Sequence, residues 1–367
     1  MRDIADRMKI VFTGNDLGEM YSFRGEIINM MSLSNEVFVV APVPEDSPVS
    51  DVIPITLDRF STHPFKELLL LFRLFAIYRK IKPDYIFHYT IKPNIYGTVA
   101  ASVLGIPSTS VVVGLGQSFY HKSLSAFIAR VMLRTSLRLS SCIVTINKAI
   151  YNDIISWKGI KAEKVILSTA GEGIDVSKFP LADKDFCKVR FLVMAKLQKD
   201  KGVFEFKAAA EMVHRLYPDV SFCWLGGFES DNSNAVPQTF FSGSPVEYHD
   251  AVQDVVPFLS DTDTAFVLPS YHEGLSRALM EACSVGCPCI VSDIAGCREL
   301  VDEGVNGFLS QKGDAQSLAD AMIRFIELPQ EQKKKMSLDS RRIVSERASI
   351  HDVLATYNSI IKRTYGS

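Results

Sequence analysis

Two glutamates, Glu273 and Glu281, stand eight positions apart in the stretch His272-Glu273-Gly274-Leu275-Ser276-Arg277-Ala278-Leu279-Met280-Glu281. What they can do depends on where the chain puts them. The apolar run 265–268 is closed by Pro269-Ser270 and reads as a buried strand ending in a loop. Gly274 and Ser276 then lead into a good helix-forming run from Arg277 to Cys283. One carboxylate therefore lies in the loop before a helix and the other about two turns inside it, a separation of roughly 12 Å. That is too wide for a shared metal ion or a proton-sharing dyad. It suits a long ligand lying across a helix N-terminus, with a diphosphate near the backbone amides and a hydroxyl-bearing ring at each end. A sugar nucleotide has that shape.

Two cations, Lys196 and Lys201, flank a turn that follows the strand candidate 191–194. At a strand's carboxyl end they could neutralise a diphosphate as leaving-group charge develops, an effect worth about 3 kcal/mol or more for a well-placed donor. A second turn, Thr13-Gly14-Asn15-Asp16-Leu17-Gly18, could bring a ligand close to backbone. It lacks the G-x-G-x-x-G fingerprint, which argues against a dinucleotide. Asp261-Thr262-Asp263 has metal-site spacing but precedes a strand, at the wrong edge of a sheet, so it reads as a structural turn. His88, His121, His249 and His272 show no metal-ligand spacing, and no metal is expected. His88 closes the strand candidate 85–87, where it could line a cleft or belong to the core.

Short apolar strands alternate with helices along the whole chain. Candidates in the first half are 10–12, 37–40, 85–87, 109–113 and 142–146, with helices at 65–80 and 124–139. The second half offers 191–194, 221–225, 265–268 and 289–292. This rhythm predicts an α/β protein of parallel sheets with helices on both faces. It runs twice, with a break near Phe179-Pro180-Leu181. Two doubly wound, Rossmann-like domains facing a cleft are therefore expected, 1–182 and 183–349, with a C-terminal helix at about 350–367 packing back on the first. Ligands should sit at the carboxyl ends of the strands.

Hydrophobic content of 47% against 22% charged residues is that of a globular chain with a large core. The formal net charge of −2 hides an asymmetry, because residues 64–140 hold ten basic residues against Glu67 and Asp84. Arg130, Arg134 and Arg138 recur every four residues on the predicted helix Leu124–Leu139, forming one stripe beside Leu124, Ile128, Val131 and Met132. A basic amphipathic helix points to an anionic membrane surface, although an ordinary surface helix would also satisfy the pattern. Nucleic acid fits poorly, since the whole chain is slightly acidic and no recognition module is present. The first seven residues lack the apolar core of a secretory leader. The longest apolar run, 68–72, is far short of the roughly 20 residues that a membrane span requires. Seven cysteines without a Cys-x-x-Cys pair read as buried thiols of a reducing cytosol.

Glu273-Gly274 through Glu281-Ala282 is followed by Gly286-Cys287-Pro288 through Asp293, then Gly296, Glu299-Leu300-Val301 and Gly304-Val305-Asn306-Gly307-Phe308-Leu309. In that order these elements resemble family 4 glycosyltransferases of the GT-B fold, a retaining, nucleotide-sugar-dependent class. Gly173-Ile174-Asp175 with Phe179 resembles the family's interdomain segment, and Lys201-Gly202 its phosphate-site pair. Lys196 stands where the family commonly has arginine. His88-Tyr89-Thr90-Ile91-Lys92-Pro93-Asn94-Ile95-Tyr96-Gly97 with Gly114-Leu115-Gly116 resembles bacterial N-acetylgalactosaminyltransferases acting on undecaprenyl-diphosphate-linked saccharides.

The resemblance implies a UDP-sugar donor, a polyprenyl-diphosphate-linked acceptor and a place on the inner face of the cell membrane. It implies that Glu281 holds the ribose hydroxyls, while Glu273 with the backbone at Gly274 and Leu275 holds the donor sugar. Lys196, Lys201 and the helix start at Ser276 would steady the departing diphosphate, with Gly14 also against the donor. Asn15, His88, Lys92, Gly114 and Gly116 fall on the acceptor side. No cofactor beyond the UDP-sugar co-substrate is implied, and no metal. Two rivals stand beside this reading, a sugar-nucleotide epimerase or hydrolase of similar fold and a catalytically silent nucleotide- or glycan-binding partner subunit.

Overall fold

A computed structural model describes residues 7–43, 52–58, 61, 63–114, 124–229 and 234–366. The chain forms two compact units, Met1–Gly173 with Ile350–Ser367, and Ile174–Ser349.

The first unit is built on a parallel sheet of β1 (Lys9–Thr13), β2 (Glu36–Ala41), β3 (Val52–Pro54), β4 (Tyr85–Tyr89), β5 (Ser108–Val112), β6 (Cys142–Thr145) and β7 (Val165–Leu167). Their order is β3-β2-β1-β4-β5-β6-β7. Every residue of β4 and β5 is buried, as a central strand covered by helices on both faces requires. The second unit repeats the plan with β8 (Arg190–Met194), β9 (Ser221–Leu225), β10 (Val246–His249), β11 (Thr264–Leu268), β12 (Cys289–Ser292) and β13 (Gly307–Ser310). The order here is β10-β9-β8-β11-β12-β13. In each sheet the direction of winding reverses once, between β1 and β4 and between β8 and β11. Such a reversal leaves a crevice at the strands' carboxyl ends, where doubly wound sheets bind ligands. The expected class of two doubly wound parallel-sheet domains is the one observed.

The passage between units falls at Gly173–Ile174, ahead of residue 182. The intervening segment belongs to the second unit because Phe179 is buried in its core and the Ala182 amide donates to Val285 at 3.0 Å. The helix Ile350–Tyr365 belongs to the first unit. Its Tyr357 ring stacks on Phe87 at 4.5 Å between centroids, and its hydroxyl meets that of Tyr89 at 2.8 Å.

One expectation needs correction. Six cysteines are buried, but Cys187 is exposed, its thiol donating to the Asp185 carboxylate at 2.8 Å. Two arginines of the stripe on Leu124–Leu139 are engaged by a neighbouring turn. Arg134 Nε donates to the Lys158 carbonyl at 2.9 Å, and Arg138 donates to the same oxygen. These two guanidinium groups tie the helix to the turn that follows Lys148–Ser156.

Candidate active site

β8 and β11 are hydrogen-bonded neighbours with Val193 opposite Val267, so the loops leaving them start side by side at the winding reversal. Lys201 comes from the first loop and Glu273 from the second. Lys201 Nζ lies 2.8 Å from Glu273 Oε1, and the two side chains are only 24% and 13% exposed. Partial burial weakens solvent screening of this pair.

Backbone geometry forces the approach. After β8 a tight turn, Lys199–Lys201, ends on Gly202 at φ +75°, which opens the helix Val203–Leu216. A Cβ on Gly202 would fall 2.1 Å from the Pro269 carbonyl oxygen. Only glycine tolerates both that φ and that proximity. The Tyr271 amide then donates to the Asp200 carbonyl at 2.9 Å, and the Tyr271 hydroxyl donates to Glu205 at 2.7 Å. Accepting this hydrogen bond, Glu205 favours the protonated phenol and pushes its pKa up to about 12. From the other side, Gly296 lies so close that a Cβ there would meet the Gly274 carbonyl oxygen at 2.2 Å. Three loops, those after β8, β11 and β12, are thus locked together around Glu273 and Gly274.

The loop after β11 feeds the helix Arg277–Val285, whose N-cap is Ser276. Leu275 is buried in the core, which leaves its backbone as the part that can meet a ligand. Within the helix, Arg277 Nε donates to Glu281 Oε1 at 2.9 Å across one turn. An ionised carboxylate accepts about four hydrogen bonds. Lys196 pairs with Glu229 at 2.5 Å, and Gln198 donates to the other oxygen of Glu229 at 3.0 Å. The partners Arg277, Glu229, Glu205 and Tyr271 were not anticipated. Tyr271 stands two residues before Glu273, and that adjacency was the signal available for it.

The first-unit candidates fare differently. Gly14 is buried at the carboxyl end of β1, its amide donating to Val40 at 3.0 Å, and Asn15 follows it in the bend before Leu17–Ser32. Gly114 follows β5 with open space where a Cβ would point, and Gly116 lies outside the described residues. His88 is wholly buried, with Nε2 3.2 Å from the Tyr78 hydroxyl and Nδ1 3.2 Å from that of Thr98. It belongs to the core and offers an acceptor no surface. Burial holds its imidazole neutral, with the pKa pushed down to about 3. Lys92 is also turned inward, donating to Glu67 at 2.5 Å and to the carbonyls of Asp58 and Ser61 at 2.7 Å. It fastens a loop to the helix Pro64–Ile81 and is not presented to a ligand.

The second unit therefore assembles a partly buried ammonium, two carboxylates and a capped helix start at one sheet edge. Such a set can hold a dianionic group between the ammonium and the helix amides, with hydroxyls bonded to either carboxylate.

Two family descriptions match the chain. Residues 183–342 match "Glycosyl transferases group 1" and residues 15–147 match "Glycosyl transferase 4-like". The N,N'-diacetylbacillosaminyl-diphospho-undecaprenol alpha-1,3-N-acetylgalactosaminyltransferase of Campylobacter jejuni is 27% identical over 87% of this chain and 90% of that protein. The UDP-Gal:alpha-D-GlcNAc-diphosphoundecaprenol alpha-1,3-galactosyltransferase of Escherichia coli is 24% identical over 80% of this chain and 81% of its own. Among solved structures, sucrose-phosphate synthase from Thermosynechococcus elongatus superposes with a TM-score of 0.81 at 15% identity, covering 98% of this chain and 99% of that one. Anabaena HepE in complex with UDP and glucose gives 0.74 at 17% identity, covering 97% and 100%. With the paired-loop site in the second unit and the two sheets wound alike, these matches make the chain a glycosyltransferase of family 4, with the GT-B fold.

Proposed function

We propose that this glycosyltransferase moves a hexose or N-acetylhexosamine from a UDP-sugar to a lipid-linked, polyprenyl-diphosphate saccharide, with retention and without a metal. It would work on the inner face of the cell membrane, in surface polysaccharide or glycan assembly. The observation that carries the reading is the meeting of Lys201 and Glu273 at the winding reversal of the second sheet. The Campylobacter jejuni and Escherichia coli relatives, both named for action on diphospho-undecaprenol sugars, support the acceptor class.

In this reading the donor lies across the start of Arg277–Val285. Its diphosphate takes Lys201 and the amides at Gly274 to Ser276, and its ribose hydroxyls donate to the Glu281 carboxylate that Arg277 orients. Glu273 holds the sugar ring. Lys196, ion-paired with Glu229, offers the diphosphate a further hydrogen-bond donor. As the glycosidic bond to the diphosphate breaks, negative charge grows on the phosphate oxygen. A fixed ammonium stabilises that charge more than the ground state, which is what accelerates the step. The leaving phosphate is the base that takes the acceptor's hydroxyl proton, so no protein nucleophile is required.

An assay of UDP-sugar breakdown with and without a lipid-linked acceptor tests this directly. Transfer should dominate when the acceptor is present, and a panel of UDP-sugars should show which one raises the melting temperature. Turnover unaffected by acceptor would favour the hydrolase or epimerase reading. Binding with no turnover under either condition would favour the silent subunit.

A further inference from the structure

Lys196 and Lys201 stand on one loop, and a carboxylate reaches each of them from a different side. In the second sheet β8 lies between β9 and β11. The loop after β11 sends Glu273 to Lys201, whereas the chain leaving β9 sends Glu229 to Lys196, with 2.5 Å between Nζ and Oε1. Lys196 has no other hydrogen-bond or ion-pair partner among the described residues. Without Glu229, its flexible four-carbon stem would let the ammonium sample many positions.

Backbone pairing fixes where Glu229 stands. The Ala195 amide donates to the Leu225 carbonyl and the Leu197 amide to that of Gly227, both at 3.0 Å. A Cβ on Gly226 would fall 1.8 Å from the Ala195 carbonyl oxygen, so only glycine permits this approach. The same oxygen accepts from Trp224 Nε1 at 2.9 Å. Further along, the Lys199 amide donates to the Asn234 carbonyl at 2.9 Å and the Val236 amide to that of Leu197 at 3.0 Å. The chain after β9 is thereby tied to residues on both sides of Lys196.

The carboxylate is also oriented. Gln198 is buried, and its side-chain amide donates to Glu229 Oε2 at 3.0 Å, while Oε1 faces Lys196. One oxygen is held by the amide and the other is left for the ammonium.

Stability does not account for this arrangement. Lys196 and Glu229 are 51% and 45% exposed, and an ion pair so well solvated adds little to a fold. Its value is geometric. An ammonium has three N–H donors. One is taken by Glu229, and two remain for phosphate oxygens while the carboxylate keeps the group in place.

We propose that Glu229 is a positioning residue of the donor site. Oriented by Gln198, it holds the Lys196 ammonium where a diphosphate binds, as Glu273 holds Lys201 on the other side of the same loop. The proposal rests on the reading that a UDP-sugar occupies the second unit.

The test is a double-mutant cycle on the full chain, read by calorimetric titration of UDP. Glu229→Gln should weaken UDP binding about threefold to fivefold, the scale of one exposed ion pair. In a Lys196→Met background the same change should make no further difference, because the group it positions is gone. Both side chains are exposed, so melting temperatures should match the parent in all three variants. Equal weakening in both backgrounds would overturn the proposal, since Glu229 would then act apart from Lys196. An unmoved affinity in Glu229→Gln would overturn it too, and so would a tighter one, which would make Glu229 a competitor of the diphosphate. A parent that binds no UDP has the same effect. Sugar transfer by the parent to a lipid-linked acceptor, assayed on the same preparation, keeps the two readings apart. Coupled UDP affinities without transfer leave the positioning role standing and remove the transfer reading, and transfer with uncoupled affinities does the reverse.

Discussion

Lys201 and Glu273, 72 positions apart in sequence, meet at 2.8 Å because β8 and β11 are adjacent strands on either side of the winding reversal. Each ion fixes the position of the other while both remain within reach of a ligand at the sheet edge. Lys201→Ala should therefore lower kcat more than it weakens UDP-sugar binding, since the ammonium acts mainly on charge that develops during the reaction. Steady-state kinetics beside donor titration checks this, and equal losses in both would indicate uniform binding. Adding Glu273→Gln to Lys201→Ala should cost less than the sum of the single changes, by about 0.5–3 kcal/mol of coupling.

Gly202 sets how closely those loops can approach. Its φ of +75° and the 2.1 Å between a hypothetical Cβ and the Pro269 oxygen mean that Gly202→Ala must displace backbone. The left-handed conformation alone costs roughly 1–2 kcal/mol for a non-glycine residue. The variant should melt lower and lose donor affinity as well, because the displaced loop carries Lys201. Chemical denaturation and a UDP titration on one preparation would show both effects, and an unchanged affinity would mean that the turn does not position the lysine.

Tyr271 acts as a clip between the same loops through Glu205 and the Asp200 carbonyl. Tyr271→Phe removes one partly buried hydrogen bond to a charged group, worth about 1.5–3 kcal/mol. The expected result is a modest fall in stability with a larger fall in kcat/KM. Glu205→Gln, which can still accept from the hydroxyl, should restore more activity than Glu205→Ala. Parallel losses in stability and activity across all three variants would make the contact merely structural.

Strands at the centre of each sheet were legible as runs of apolar residues, whereas β3, β7, β10 and β13 were not singled out. All four are sheet edges. β3, β7 and β10 bury one residue apiece, Val52, Val165 and Val246, too few to raise an apolar signal. β13 opens on Gly307, whose missing side chain admits the Cys289 carbonyl. At the site, Glu273, Glu281, Lys196 and Lys201 could be found because turns and a helix start give their positions meaning. Glu229 and Glu205 could not. Each is one carboxylate among many, and only the folded sheet decides which lysine or tyrosine lies beside it. His88 was misplaced for a related reason, since a histidine at a strand end reads alike whether its neighbours are water or Tyr78 and Thr98.

That buried imidazole has a measurable consequence. Its pKa falls from 6.5 to about 3 in the folded chain because burial disfavours the cation. Between those values the unfolded chain takes up a proton that the folded chain refuses. The contribution is thus fully present above about pH 6.5 and is lost as pH falls toward 3, at up to about 1.4 kcal/mol per pH unit. Denaturation midpoints taken across this range should fall less steeply in His88→Gln than in the parent. Identical slopes would mean that the imidazole titrates normally inside the fold.

Calorimetric titration of UDP into the parent and into Glu281→Ala tests most directly whether the second unit grips a nucleotide along the start of Arg277–Val285. Loss of a charged hydrogen bond to the ribose should weaken binding by roughly 1.5–3 kcal/mol, one to two orders of magnitude in Kd. Equal affinity in parent and variant would contradict the account, because the nucleotide would then have to lie somewhere other than across this helix.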